Sequence, residues 1–443
     1  MSISKYFNQG SQVTATLSVA LSSTAIAVES TVNELLLAGT DIEECNNDIL
    51  SMESIAVGLE GLGEVALLSL EDGGLDRTSG TFLQLGVESY TTRLGMHESV
   101  TPSVESFGGA SERVNSTTIA VEGIKEVAKS VWAAITKAIR ASIAYVKAWF
   151  RKLMEALPAI KKRAESIKDK AENGDIGTID KKDFELGGLV KAMTINDSVA
   201  SIDDVLGSLK GAATTYLSKT NDSRIKNLEK IADELKFQDT VPTNGYKDLA
   251  DLVTVAATGA KSKNKLTGDK RFVAVGVAYT HSDHLPGNKM VVSSELASTP
   301  TEDRAGVAKA ISAFKVTMTT SVEKPKDIKG TTKVSTLATS AIIKACDEVI
   351  SIVEIIEGFN KEYSKVESAK EAIIKAGDAV TSNYSDDTKT EVKNFADTQI
   401  KVANVALVTI DNPGITLTGH IASTVKSVLS LCDKSLSNYK VAE

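Results

Sequence analysis

The sequence predicts a mainly α protein: a helical bundle with a small antiparallel β-sheet insertion, preceded by an acidic, weakly structured section. Three observations carry this. Aromatic residues make up 5% of the 443 and prolines number 7, against 42% hydrophobic residues. That balance suits helices packed through small and aliphatic side chains. Apolar residues recur at steps of three and four over 124–153 and again from about 334 onward, the spacing of amphipathic helices. Between them, three β-branched runs near 271–323 alternate with period two, as half-buried strands do.

The acidic section comes first. Residues 1–122 carry 17 acids and 4 bases, near -13, so the rest of a chain of net charge -8 is near +5. Val13, Ala15, Leu17, Val19 and Leu21 alternate as a strand or as one face of a weak helix. Ala25-Ile26-Ala27 mimics a signal-peptidase site, but only Lys5 precedes it and Thr and Ser interrupt the apolar run, which argues against a secretory signal. No apolar run reaches the roughly 18–20 residues that span a bilayer. Cys45, Cys346 and Cys432 are far apart and show no metal-ligand spacing; they read as buried thiols in a reducing compartment.

A short pattern of small residue, aliphatic residue and glutamate recurs here. It ends at Glu29, Glu53, Glu60, Glu71, Glu88, Glu105 and Glu122, and the next residue is nearly always small. Thirteen glutamates in this section would give about one such match by chance. The remaining 321 residues hold one strict match, Ser321-Val322-Glu323. The spacing is irregular, so the pattern is neither a solenoid repeat nor a heptad. One reading is acidic amphipathic segments whose faces alternate. The other is a set of protease sites. A carboxylate at the cut suits a cationic pocket, and small neighbours let an extended backbone pair with a cleft.

The stretch "ESFGGASERVNSTTIAVEGIKEVAKSVWAAITKAI", Glu105 to Ile139, resembles the opening of internal head proteins of giant phages of the phiKZ type and related large myophages. The small-x-Glu motifs are similar to the sites of their prohead protease. The resemblance covers about the first 170 residues, and the density of the motifs is its specific part. It implies a precursor whose acidic propeptide is cut during head maturation and whose remainder stays inside the capsid. The implied partners are a prohead protease and other head-core or capsid proteins. Glu105 and Glu122 both remain as the final boundary; Gly108-Gly109 would keep the Glu105 site accessible.

The next element is basic. Over 123–172 there are 12 Lys and Arg against 5 acids. Ile124, Val127, Val131, Ile135, Ile139, Ile143, Val146, Phe150 and Leu153 mark an amphipathic helix flanked by Trp132 and Trp149. Pro158 should end or kink it, with a second polar helix after. Lys125, Lys129, Lys137, Arg140, Lys147, Arg151, Lys152, Lys161, Lys162 and Arg163 are candidate contacts to packaged DNA through salt-dependent phosphate binding. The 123–157 helix is also a candidate for membrane contact, or it is an ordinary surface helix.

Residues 173–184 read as a turn-rich linker, and helices are expected near 185–194, 200–219, 222–237 and 246–258. The strands follow, with a helix capped by Thr301 between the second and third. Four C-terminal helices complete the bundle. The segments are therefore 1–105 (or to 122), 106–172, 173–270, 271–323 and 324–443. "HSDH" places His281 and His284 around Asp283, a possible metal loop with no further ligand cluster. No phosphate loop, zincin or nucleophile-elbow motif occurs. The expectation is therefore no enzyme, no cofactor and no metal. The leading function is an internal head protein precursor, its mature part packaged with DNA and ejected with it. A secreted or surface adhesin-like protein is the alternative, and a metal-dependent enzyme the third.

Overall fold

Among the described residues up to 173, three α-helices form: α1 (Thr24–Ser69), α2 (Arg77–Arg93) and α3 (Ala110–Asn173). The computed structural model describes residues 24–96, 99–174, 176–218, 221–257, 264–323, 332–383, 389–411 and 413–441. The Val13–Leu21 alternation lies outside them. The described chain forms two compact units, one of Thr40–Val146 and one of Lys147–Glu443 together with residues 24–39.

In the first unit, Ile42, Cys45, Ile49, Met52, Ile55, Ala56 and Leu59 form the apolar stripe of α1, each at most 2% exposed. The stripe lies along α3, and the two helices run antiparallel. Cys45 Sγ donates to Ala138 O, Ser142 Oγ donates to Asn46 Oδ1 at 2.8 Å, and Trp132 Nε1 donates to Glu60 Oε1. α2 starts where Asp76 accepts from the Ser79 amide at 2.7 Å. That bond holds the Asp76 carboxyl below the ordinary range. Phe107, buried in the connection from α2 to α3, packs on Gly80 of α2.

In the second unit, the later part of α3 meets α8 (Thr339–Ser382). The Phe150 ring lies 4.0 Å from Tyr363 and 5.8 Å from Phe359, centroid to centroid. Around them pack α4 (Ile202–Ala213), α5 (Asn221–Glu234), α6 (Gly245–Ala257), α7 (Arg304–Ala313), α9 (Thr390–Thr409) and α10 (Gly414–Leu436). A four-stranded antiparallel sheet, ordered β5 (Asn264–Lys265), β6 (Val277–His281), β7 (Lys289–Leu296) and β8 (Lys315–Thr320), occupies the expected place. Cys45, Cys346 and Cys432 are buried free thiols. A hydrogen bond with Cys346, together with burial, pushes the Cys432 thiol up.

The fold class agrees with the expectation, while several details differ. Pro158 does not end its helix, because α3 runs through it for 64 residues. A mid-helix proline costs about 3 kcal/mol, but Leu157 and Ile160 are fully buried beside it and tertiary packing outweighs that cost. The first two C-terminal helices are one, α8, joined through buried Phe359, Tyr363 and Val366. The helix after 301 is capped by Asp303, which accepts from the Gly306 amide at 2.7 Å; Thr301 bonds Asp303 instead. The 185–194 stretch forms two short 3-10 turns around Gly187, whose φ is 54°. Finally, the linker contains strands. β1 (Ile176–Ile179) pairs with β10 (Tyr439–Val441), and β2 (Asp183–Glu185) pairs with β9 (Lys333–Ser335). A two-residue hairpin of β3 (Thr194–Ile195) and β4 (Ser198–Val199) follows them.

One ion pair is deep in the second unit. Lys370 Nζ lies 2.5 Å from Asp411 Oδ2, with the side chains 3% and 1% exposed. Tyr363 Oη donates to the other carboxylate oxygen at 2.6 Å. Breaking such a pair leaves a bare buried charge. Lys370→Met is therefore expected to lower unfolding free energy by about 3–5 kcal/mol, read from urea denaturation, and the double change Lys370→Met with Asp411→Leu should recover most of it. A second expectation concerns His420 on α10. Burial, with Lys289 adding, pushes it down to about 4. The unfolded chain binds this proton first, near pH 6.5. The stability involved is thus fully present above about pH 6.5 and is lost as pH falls through about 4. His420→Gln should flatten that part of the urea-midpoint profile, by up to about 3 kcal/mol.

Candidate functional sites: the glutamate motifs and the basic helix

The seven motif glutamates fall into two structural groups. Glu29, Glu53 and Glu60 lie in α1, Glu88 in α2 and Glu122 in α3; the side chain of Glu29 is outside the described residues. Glu53 is buried, and Glu60 is half-buried beneath the Trp132 indole N–H. Glu88 and Glu122 are exposed. Glu71 and Glu105 are also exposed but stand outside α-helix. Glu71 sits in the turn after α1, closed by Gly73 and Gly74 at φ 85° and 84°. Glu105 sits in a 3-10 turn, Val104–Phe107.

The helical motifs have a packing explanation that the sequence did not reveal. A Cβ on Gly58 would stand 2.3 Å from the Tyr90 ring, one on Gly86 2.9 Å from Leu62, and one on Gly123 2.0 Å from the Val100 carbonyl. The aliphatic positions Met52, Leu59, Val87 and Val121 are buried. Small residue at a crossing, aliphatic residue in the core, acid outward at Glu88 and Glu122 and at the helix seam at Glu53 and Glu60: that order satisfies helix packing by itself. The two motifs outside helix do not need it. Ser103 is exposed, Val104 and Leu70 are only half-buried, and Ser69 bonds the Ala66 carbonyl at 2.6 Å.

The ten candidate cations are divided between the units. In the first, Lys129 pairs locally with Glu126 at 2.9 Å, Arg140 is exposed, and Lys125 and Lys137 are exposed with no ion pair to a described residue. In the second, four are held by acids of other elements: Lys147 by Glu367 and Glu371, Lys152 by Glu34, Lys161 by Glu354, and Arg163 by Asp433 at 2.7 Å. Arg151 and Lys162 remain exposed and make no ion pair with a described residue. At the histidine loop, the rings of His281 and His284 lie 5.9 Å apart, and His281 Nδ1 is bonded to Ser282 O. Asp283 accepts from Asn264. No cluster of three metal-type ligands occurs among the described residues.

A family model described as phiKZ-like phage internal head proteins matches residues 27–434. The chain belongs to that family. Neither a curated protein nor a solved structure matches it. As a phiKZ-like internal head protein it is a structural component located inside the virion head. The family match takes in most of the acidic section as well as the basic helix and the bundle. No helix among the described residues is long and apolar enough to cross a membrane.

The packing explanation has a direct check at two glycines that follow motif glutamates. Gly123→Ala is expected to cost about 1–3 kcal/mol, because a carbonyl blocks the new methyl. Gly61→Ala, with open space around it, should instead stabilise α1 by about 0.5–1 kcal/mol. Thermal unfolding of the two variants separates them.

Proposed function

We propose that this internal head protein is made as a precursor, and that a head protease reading small-x-Glu removes acidic sequence during maturation. The observation that carries the reading is that two motif glutamates, Glu71 just past the end of α1 and Glu105, stand outside α-helix. Packing does not require the motif there, and a protease can reach it. The boundary of the mature chain on this reading is Glu105, since Glu122 lies within α3, beyond its start at Ala110.

The mature part is a structural companion of other head proteins and performs no catalysis of its own, which family membership supports. Contact with packaged DNA would rest on Lys125, Lys137, Arg151 and Lys162, exposed cations without an acid partner among described residues. Such contact is electrostatic and sequence-independent. Semi-specific mass spectrometry of native particles tests the processing. Peptides beginning at Ser106, with no peptide bridging Glu105 and Ser106, are the expected result. A chain in mature particles that is continuous across both Glu71 and Glu105 would defeat it.

A further inference from the structure

Removing the acidic section would strip α3 of its cover, and the fold suggests how this is avoided. We propose that in the folded chain only Glu71 and Glu105, among the six motif glutamates from Glu53 onward, are cut, and that α1 stays docked on α3 afterwards. The inference rests on the processing reading and adds an order and a product to it.

A protease binds its substrate as an extended strand, so a helical site must first unwind. Reaching Glu53 would draw Met52, Ile55, Ala56 and Leu59 from the core, all fully buried. Reaching Glu88 would draw out Val87 and Thr91, and reaching Glu122 would draw out Ala120, Val121 and Ile124. The two remaining sites open at smaller cost. Residues 70–74 are held by turn bonds to 67–70, and the first buried residue beyond is Leu75. The 103–106 stretch is held by two turn bonds, Ser106 N to Ser103 O and Gly108 N to Glu105 O, and by Ser116 Oγ on Ser106 O, and the one large buried side chain beside it is Phe107. Local opening of this kind governs cutting of native proteins.

The cuts leave α1 on a piece ending at Glu71. Losing 72–105 removes the contacts of α1 with α2, at Gly58 against Tyr90, Leu62 against Gly86 and Ser51 with Arg93, but the attachment of α1 to α3 does not run through them. In the first unit its stripe from Ile42 to Leu59 stays buried, with the Cys45–Ala138 and Ser142–Asn46 bonds in place. In the second unit Leu35 O accepts from the fully buried Trp149 Nε1 at 3.1 Å, and Lys152 pairs with Glu34. Charge is complementary as well. α1 holds nine acids and no base, whereas α3 holds thirteen bases against seven acids. The occupant of the α3 face in the processed protein is therefore the chain's own α1, held without a covalent link.

Purified full-length chain treated with a glutamyl endopeptidase in native buffer tests this. New termini at Asp72 and Ser106 should appear at least about tenfold sooner than those at Ser54, Gly61, Ser89 and Gly123. The piece ending at Glu71 should co-elute with the piece beginning at Ser106 in buffer and separate from it in urea. The Glu71→Gln, Glu105→Gln variant should resist cutting at the remaining motif glutamates, Glu53, Glu60, Glu88 and Glu122, on the same timescale. Cutting at Glu53, Glu60, Glu88 or Glu122 at a comparable rate, or loss of the α1 piece in buffer, overturns the proposal. Uncut chain in mature particles would instead sink the processing reading, so the two failures are distinct.

Discussion

A helix of 64 residues with one apolar side cannot be left uncovered in water, and the covering of α3 is the constraint on which the rest of the structure depends. Isolated helices in water draw little stability from propensity; an amphipathic one needs a partner along its buried face. In the first unit that partner is α1, lying antiparallel and supplying side chains at steps of three and four. In the second, the start of α1 and the aromatic face of α8 share the task around Trp149 and Phe150. The acidic section is thus part of the architecture as well as a candidate for removal.

The same pairing settles the charges. α1 is acidic throughout and α3 is mostly basic, so their apposition reduces like-charge repulsion on each. The individual surface pairs, such as Lys152 with Glu34, are worth little alone. Lys370 with Asp411 is of another kind. Both groups are out of water, and Tyr363 supplies the hydrogen bond that a carboxylate there requires. This joins the middle of α8 to the turn before α10 and fixes where the bundle closes.

Much of the molecule was legible in the sequence. The mainly α class, the antiparallel sheet, its two longer strands, and helices near α4, α5 and α6 follow from local periodicity. The motif glutamates were legible as a distribution, though their two structural groups were not. Gly58 faces Tyr90 and Gly123 faces Val100, contacts between residues that no local window holds together. The strands of residues 176–185 were missed for the same reason, since three- and four-residue strands carry no period and their partners lie at 333–335 and 439–441. Pro158 was read as a break because a local rule assigns it so, and α8 was read as two helices. The buried neighbours at each place decided otherwise.

The clasp between β1 and β10 bears on how the protein comes into being. Ile176 pairs with Val441, so β1 has no strand partner while everything between them is still being made. At synthesis rates of roughly 5–20 residues per second, that interval is on the order of tens of seconds. α1 and α3 belong to the first 173 residues and can associate early in it, whereas the second unit cannot close until residues 439–441 have emerged. Translation therefore imposes a sequence of events on assembly: the helix pair first, the clasp last.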